Sequence, residues 1–340
     1  MDLQQLELTA HALVAREKGI LAADESTGTI KKRFDKIGVE STEEARRAYR
    51  ELLFTTPSIG EYISGVILYD ETIRQSSSDG TPFPAVLAGA GVVPGIKVDT
   101  GAKSLALSPG ETVTEGLDGL RERIAEYREL GARFAKWRAV VTIGERLPTQ
   151  ACIEANAHAL ARYAALCQEG GLVPIVEPEV LMDGDHTIER CYDVTVQTLE
   201  AVYEHLSEQN VVLEGTLLKP NMVVPGADCP TQAGVDDVAR WTIRALRTAV
   251  PAAVPGIVFL SGGQSEKDAT AHLNAINAAG EQPWHLSFSY GRALQASALE
   301  AWRGDPANVG AGQQAFFHRA KLNGAARSGR YTAEMEKIAA

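Results

Sequence analysis

An α/β chain closing into one eight-stranded parallel barrel is the fold this sequence predicts, and three observations predict it. Eight short apolar runs are spread along 340 residues, helical patterns lie between them, and polar or ionisable residues gather at the C-terminal end of every run. The runs are ILAAD ending at Asp24, SGVILYD ending at Asp70, GIKVD ending at Asp99, RFAKWR ending at Arg138, LVPIVEPE ending at Glu179, GTLLKP carrying Lys219, GIVFLSGG carrying Ser261 and WHLSFSYG carrying Ser289. Their centres lie roughly 28 to 45 residues apart, room for one crossover helix each. Eight such units favour a closed (β/α)8 TIM barrel over an open doubly wound sheet.

The elements follow in order. Leu3, Leu6, Ala10 and Leu13 recur at helical spacing, giving an extra N-terminal helix whose expected end is Lys18, with Gly19 as the stop. The segment from Ser41 to Glu44 has capping-box spacing ahead of ARRAYRELLF, and Asp236 or Asp237 precedes the periodic VARWTIRALRTAV, closed by Pro251. Ser265 opens a helix that stops at Gly280. Pro178 and Pro220 lack an N–H for a ladder, so each is expected where strand gives way to loop. Ser76 to Pro84 reads as a surface loop. Even spacing shows no long linker, so residues 1–331 are expected to form one barrel domain and 332–340 a short C-terminal tail.

Composition excludes several classes. A net charge of −11, from 33 basic and 44 acidic residues, argues against nucleic acid as a partner, because phosphate contacts need a basic surface. Acidic residues near the start and the lack of a long apolar run argue against a signal peptide and a membrane partner, so a cytoplasmic location is expected. Cys152, Cys167, Cys191 and Cys229 are far apart with no C-x-x-C pair, which suits small buried thiols. Around Gly89 to Gly95 the glycines lack the dinucleotide spacing, and Pro94 stands where a helix should begin. The segment MDGDH at 182–186 fits a turn and a helix cap at Asp185 better than a metal site, and no metal or other cofactor is expected.

Side chains alternate along a strand, so Leu217 shares a face with Lys219, Val173 and Ile175 with Glu177 and Glu179, Lys136 with Arg138, and Lys97 with Asp99. Lys219 is thereby aimed, among apolar neighbours, into the mouth where barrels keep their active sites. A desolvated lysine can attack a carbonyl, whereas a close carboxylate would make it a structural ion pair. Lys97, Lys136, Lys219 and Arg138 around one mouth with Asp24, Glu177 and Glu179 suit an anionic carbonyl substrate whose protons must be moved. Ser261 to Ser265 and Ser289 to Arg292 follow the last two strands, where backbone N–H groups before a helix and the Arg292 guanidinium can hold phosphate.

Seven of these segments, ADESTG around Asp24, GIKVD around Lys97, FAKWR around Lys136, IVEPE around Glu177, LLKPN around Lys219, LSGGQS around Ser261 and FSYGRALQ around Arg292, together resemble class I fructose-bisphosphate aldolase. The resemblance runs from about residue 10 to about residue 331. It implies reversible, metal-independent cleavage of fructose 1,6-bisphosphate to dihydroxyacetone phosphate and glyceraldehyde 3-phosphate, in glycolysis and gluconeogenesis, by a homotetramer. Lys219 would form the Schiff base, Glu177 would serve its acid–base steps, Asp24 would take the C4 hydroxyl proton, Lys136 would lie beside the imine and Glu179 would orient the lysines. Ser261, Gly262, Gly291 and Arg292 match the family's C1-phosphate site. Ser26, Thr29, Lys97 and Arg138 would hold the other phosphate. Animal members end in a terminal tyrosine that assists proton exchange at C3; here the last tyrosine is Tyr331. The alternatives are another Schiff-base sugar-phosphate aldolase or transaldolase-like barrel, or a non-catalytic sugar-phosphate-binding scaffold.

Overall fold

A computed structural model describes residues 2–337. Its barrel strands are β1 (Gly19–Ala22), β2 (Ile63–Leu68), β3 (Val93–Lys97), β6 (Phe134–Val141), β7 (Val173–Val180), β8 (Leu217–Leu218), β9 (Gly256–Phe259) and β10 (His285–Tyr290); β4 (Gly101–Ser104) and β5 (Thr112–Glu115) form a separate antiparallel hairpin. The barrel closes in the order β1-β10-β9-β8-β7-β6-β3-β2, with parallel pairing between the neighbours. Each of the eight apolar runs supplies one of these strands. The hairpin is an addition to the expected elements.

Two apolar layers hold this shape. Inside the barrel, Ile20, Ala22, Ile67, Phe134, Val173, Ile175, Leu217 and Val258 pack with Leu6, Ala10, Leu13 and Val14, so the N-terminal helix plugs the base of the barrel. The fit is tight: a Cβ on Gly95 would stand 2.3 Å from the Phe134 ring, and one on Gly65 would stand 2.6 Å from Leu13 Cδ2. Only glycine leaves the ring room at these positions. Outside the strands, a larger continuous core joins them to the helices and includes Tyr49, Trp137, Tyr163, Phe259 and Phe316.

Several boundaries differ from expectation. The first helix is Leu3–Leu13, because the chain turns at Glu17, whose φ is +63°, so that Gly19 begins β1 instead of ending a helix. Thr42, and not Ser41, caps helix Glu43–Phe54 by accepting from Ala45 N–H at 3.1 Å. Helix Val235–Ala249 starts after Gly234, which puts Asp236 and Asp237 in its first turn, where carboxylates favour the helix dipole. Thr187 takes the cap expected at Asp185. Pro178 lies inside β7 opposite Ala139. Ser265 caps helix Glu266–Ala278 as its spacing indicates. All four cysteines are buried and free.

Candidate active site

The parallel register brings the ionisable residues together at the C-terminal mouth. Lys97 pairs with Lys136 across β3 and β6, Arg138 with Glu177 across β6 and β7, and Ile175 with Leu217 across β7 and β8. Two residues beyond that last pair stand Glu177 and Lys219. Lys219 N–H donates to Val176 C=O at 2.8 Å, and the Asn221 side chain accepts from Val180 N–H at 3.0 Å, so the short β8 and the loop after it stay tied to β7.

Glu177 is the hinge of the charge arrangement. Its Oε1 lies 3.1 Å from Lys219 Nζ and its Oε2 lies 3.3 Å from Lys136 Nζ, while Lys136 Nζ also reaches Asp24 Oδ2 at 2.7 Å. These four side chains are nearly excluded from solvent. Burial alone would push the Glu177 carboxyl up, but Lys136, Lys219 and Arg138 outweigh it and hold it below the ordinary carboxylate range. Burial likewise works against charge on Asp24, and the same two lysines override it, so that Asp24 is ionised. Lys136 is desolvated as well, yet Asp24 and Glu177 keep it protonated. Glu177 Oε2 is buried and accepts no hydrogen bond among the described residues, its nearest cation being Lys136 Nζ at 3.3 Å.

The remaining expected residues line the same cavity of about 560 Å³. Asp99 organises one wall: its carboxylate meets Lys97 Nζ at 2.8 Å and accepts from the backbone N–H of Gly101 and Arg138. Glu179, which the resemblance assigns to the lysines, instead holds Arg138 Nε at 2.5 Å. Ser26 caps helix Thr27–Asp35, and its hydroxyl sits 3.1 Å from that of Thr29. Ser261, Gly262 and Gly263 form the loop before Ser265. Gly262 and Gly263 have φ of +54° and +100°, so the turn needs glycine, and a Cβ on Gly263 would come within 3.8 Å of Arg292. Gly291 precedes helix Arg292–Trp302. Two helix N-termini, at Ser26 and at Gly291, therefore edge one cavity, an arrangement that favours anions.

Four residues of this wall went unremarked in the sequence. Lys32, Arg33 and Lys36 line the cavity, and Glu25 forms ion pairs with Arg33 and, at 2.6 Å, with the buried Arg50. Thr29, Lys32, Arg33 and Lys36 fall at helical i, i+3, i+4 and i+7 spacing, a signal that was available but is usually that of a solvated face. Ser289 Oγ is buried, lacks a partner among the described residues and borders the same space.

A larger groove of about 910 Å³ lies outside the barrel between helices Val235–Ala249 and Glu266–Ala278; it offers no lysine and one carboxylate, so it lacks the means for imine chemistry. At 182–186, both His186 ring nitrogens sit against backbone carbonyls, Thr187 at 3.3 Å and Leu181 at 3.2 Å. No helix among the described residues is long and apolar enough to cross a membrane.

A family model described as fructose-bisphosphate aldolase class-I matches residues 5–340. The chain belongs to that family. It is 61% identical over 332 residues to a probable fructose-bisphosphate aldolase class 1 of Xanthomonas campestris, covering 97% of this chain and 99% of the relative. It is 58% identical to the cytosolic fructose-bisphosphate aldolase 4 of Arabidopsis thaliana, covering 94% and 81%. Among solved structures it resembles the fructose-bisphosphate aldolase of Plasmodium falciparum, with a TM-score of 0.96 and 51% identity over 97% of this chain and 96% of that one. The closed barrel of this chain is thus matched by a solved aldolase structure, and its sequence by named aldolases over nearly its whole length.

Proposed function

We propose that this chain cleaves fructose 1,6-bisphosphate reversibly between C3 and C4 through an imine on Lys219. The observation that carries the reading is the buried line Lys219, Glu177, Lys136 and Asp24, in which each neighbouring pair lies within 3.3 Å. The Lys219 amine, its proton passed to Glu177 at 3.1 Å, adds to the C2 carbonyl. Glu177 returns a proton to the carbinolamine hydroxyl, which leaves as water, and the protonated imine remains. When the C3–C4 bond breaks, its electron pair flows into that imine and gives an enamine, while Asp24 takes the proton of the C4 hydroxyl and the aldehyde departs. The enamine regains a proton at C3 and water hydrolyses the imine, freeing the triose phosphate and Lys219. The positive charge of Lys136 beside the reacting carbons opposes the charge that develops there.

The two phosphates are assigned to the ends of the cavity. Ser261, Gly262, Gly291 and Arg292 would hold the C1 phosphate, and Ser26, Thr29, Lys97 and Arg138 the other. Glu177, beside the imine, is the side chain assigned to protonate C3. In this reading the enzyme serves glycolysis and gluconeogenesis in the cytoplasm as a homotetramer. The name of the Arabidopsis relative supports the location for that protein. Light scattering of the purified chain at working concentration tests the assembly, a single-subunit mass counting against it.

Borohydride reduction in the presence of dihydroxyacetone phosphate tests the chemistry. Peptide mass spectrometry should find one triose phosphate on Lys219, and EDTA should leave cleavage intact. Label on another lysine, or activity lost to EDTA and restored by a divalent metal, overturns the reading.

A further inference from the structure

The charge inventory of the cavity goes beyond the pairs already described. Eight basic and five acidic residues line it, a surplus of three positive charges in a chain whose net charge is −11. The pairing shows where that surplus sits. Arg33 is held by Glu25, Lys97 by Asp99 and Arg138 by Glu179, and Lys136 and Lys219 share Asp24 and Glu177. Among the described residues, Lys32, Lys36 and Arg292 form no ion pair, although Lys31, on the neighbouring face of the same helix, is bound to Asp35 at 2.8 Å.

Lys32 and Lys36 are four residues apart, both exposed and both on the cavity face of helix Thr27–Asp35. Lys36 is the residue at the helix end, about 10 Å along the axis from Thr29. Helical side chains lean toward the N-terminus, so its ammonium group is carried back over the turn of Lys32 and Arg33 toward the cavity. A helix C-terminus also favours a cation, which keeps this position suited to lysine.

We propose that Lys36, with Lys32, is a specificity-determining residue that selects doubly phosphorylated substrate over singly phosphorylated substrate; this rests on the aldolase reading above. The selection follows from charge. Each phosphate carries about −1.5 to −2 near neutral pH, so a sugar bisphosphate brings a second phosphate to the Ser26 and Thr29 end of the cavity, on the helix that carries Lys32 and ends at Lys36, and gains more Coulomb energy there than fructose 1-phosphate, whose one phosphate is assigned to the Arg292 end. Both lysines stay hydrated and exposed, so they act on capture of the substrate and not on the bond that breaks.

The test compares kcat and KM for fructose 1,6-bisphosphate and fructose 1-phosphate in wild type, Lys36→Ala, Lys36→Arg and Lys321→Ala, the last removing an exposed cation from the final helix. Lys36→Ala should lower kcat/KM for the bisphosphate about tenfold and for the monophosphate about threefold, through KM, with the gap closing above roughly 0.5 M salt. Lys36→Arg should restore the preference and Lys321→Ala should leave it as in wild type. The proposal is overturned if Lys36→Ala affects both sugars equally or neither, if the loss lies in kcat, or if Lys321→Ala shifts the preference as much. A wild type that cleaves neither sugar would instead overturn the aldolase reading, and this inference with it.

Discussion

Glu177 is ionised between the buried Lys136 and Lys219 side chains, and that position sets what its replacement must do. Gln keeps the shape and an acceptor oxygen but cannot carry a proton, so Glu177→Gln should lower kcat about 10² to 10⁴-fold, the usual contribution of a general acid–base group. Slow borohydride trapping with dihydroxyacetone phosphate would be the accompanying signature, and trapping at the wild-type rate would remove Glu177 from the imine steps. Glu177→Ala should unfold at lower temperature than Glu177→Gln, because it removes the side chain whose two oxygens face Lys219 and Lys136, whereas Gln keeps one acceptor oxygen there. Asp24, Glu25 and Glu177 are all held below their ordinary carboxyl range by neighbouring cations that outweigh burial. Depressed carboxyls stabilise the fold above their unfolded values, about 4 to 4.5, and that stability is lost as pH falls through the folded values. Thermal unfolding followed from pH 7 to pH 3 should therefore stay level with respect to these groups down to about pH 5 and fall below it. A melting temperature that rises on acidification contradicts the charge arrangement.

Among the elements, the contact of β3 with β6 at the barrel base leaves no room for a side chain at Gly95. Gly95→Ala would place a methyl 2.3 Å from the Phe134 ring and should destabilise by about 1–3 kcal/mol or more. Adding Phe134→Leu should recover part of that loss, a coupling that chemical denaturation of the two single variants and the double variant measures. At the other end of the barrel, Arg292→Ala should raise KM for the bisphosphate and cost roughly 2–5 kcal/mol in kcat/KM, and unchanged kinetics would place Arg292 outside the site. The strands carrying these residues were legible because each is a short apolar run closing on polar residues, and a period of two fixes which face Lys219 and Glu177 share. The hairpin was not: LALSPGE between β4 and β5 mixes turn residues with single apolar ones, and its pairing depends on Asp99 and the neighbouring β6. Lys32, Arg33 and Lys36 were hidden for another reason. The string KKRFDK has the composition of a solvated helix, and only the fold turns one side of it toward the mouth.

Across the whole molecule, the tail bears on proton exchange. Residues 338–340 lie outside the described residues; Ala333–Lys337 form a short 3-10 turn. Glu336 is held by both terminal nitrogens of Arg319 at 2.8 Å and accepts from the Tyr331 hydroxyl at 2.9 Å. Burial and Glu336 push the Tyr331 phenol up to about 12, so it remains a donor to that carboxylate. Both residues are thereby occupied on the barrel's flank, and Tyr331 lines the outer groove. Deleting residues 333–340 should leave detritiation of labelled dihydroxyacetone phosphate in place and lower stability by roughly 1–3 kcal/mol, because Arg319 loses two charged hydrogen bonds. Collapse of exchange with binding preserved would assign the C3 proton to the tail.

The four cysteines give this molecule a property unrelated to catalysis. Cys152 and Cys167 lie on helix Gln150–Glu169, Cys191 on helix Ile188–Glu208 and Cys229 in the loop before helix Val235–Ala249, all buried. Burial pushes the Cys152 and Cys191 thiols up to about 11, so in the closed protein neither is a ready nucleophile toward an alkylating reagent. Each becomes reactive only when its own helix opens. Their alkylation rates, read peptide by peptide, act as clocks set into adjoining helices of the barrel wall: equal rates mean that the wall opens as one body, and unequal rates rank which helix loosens first.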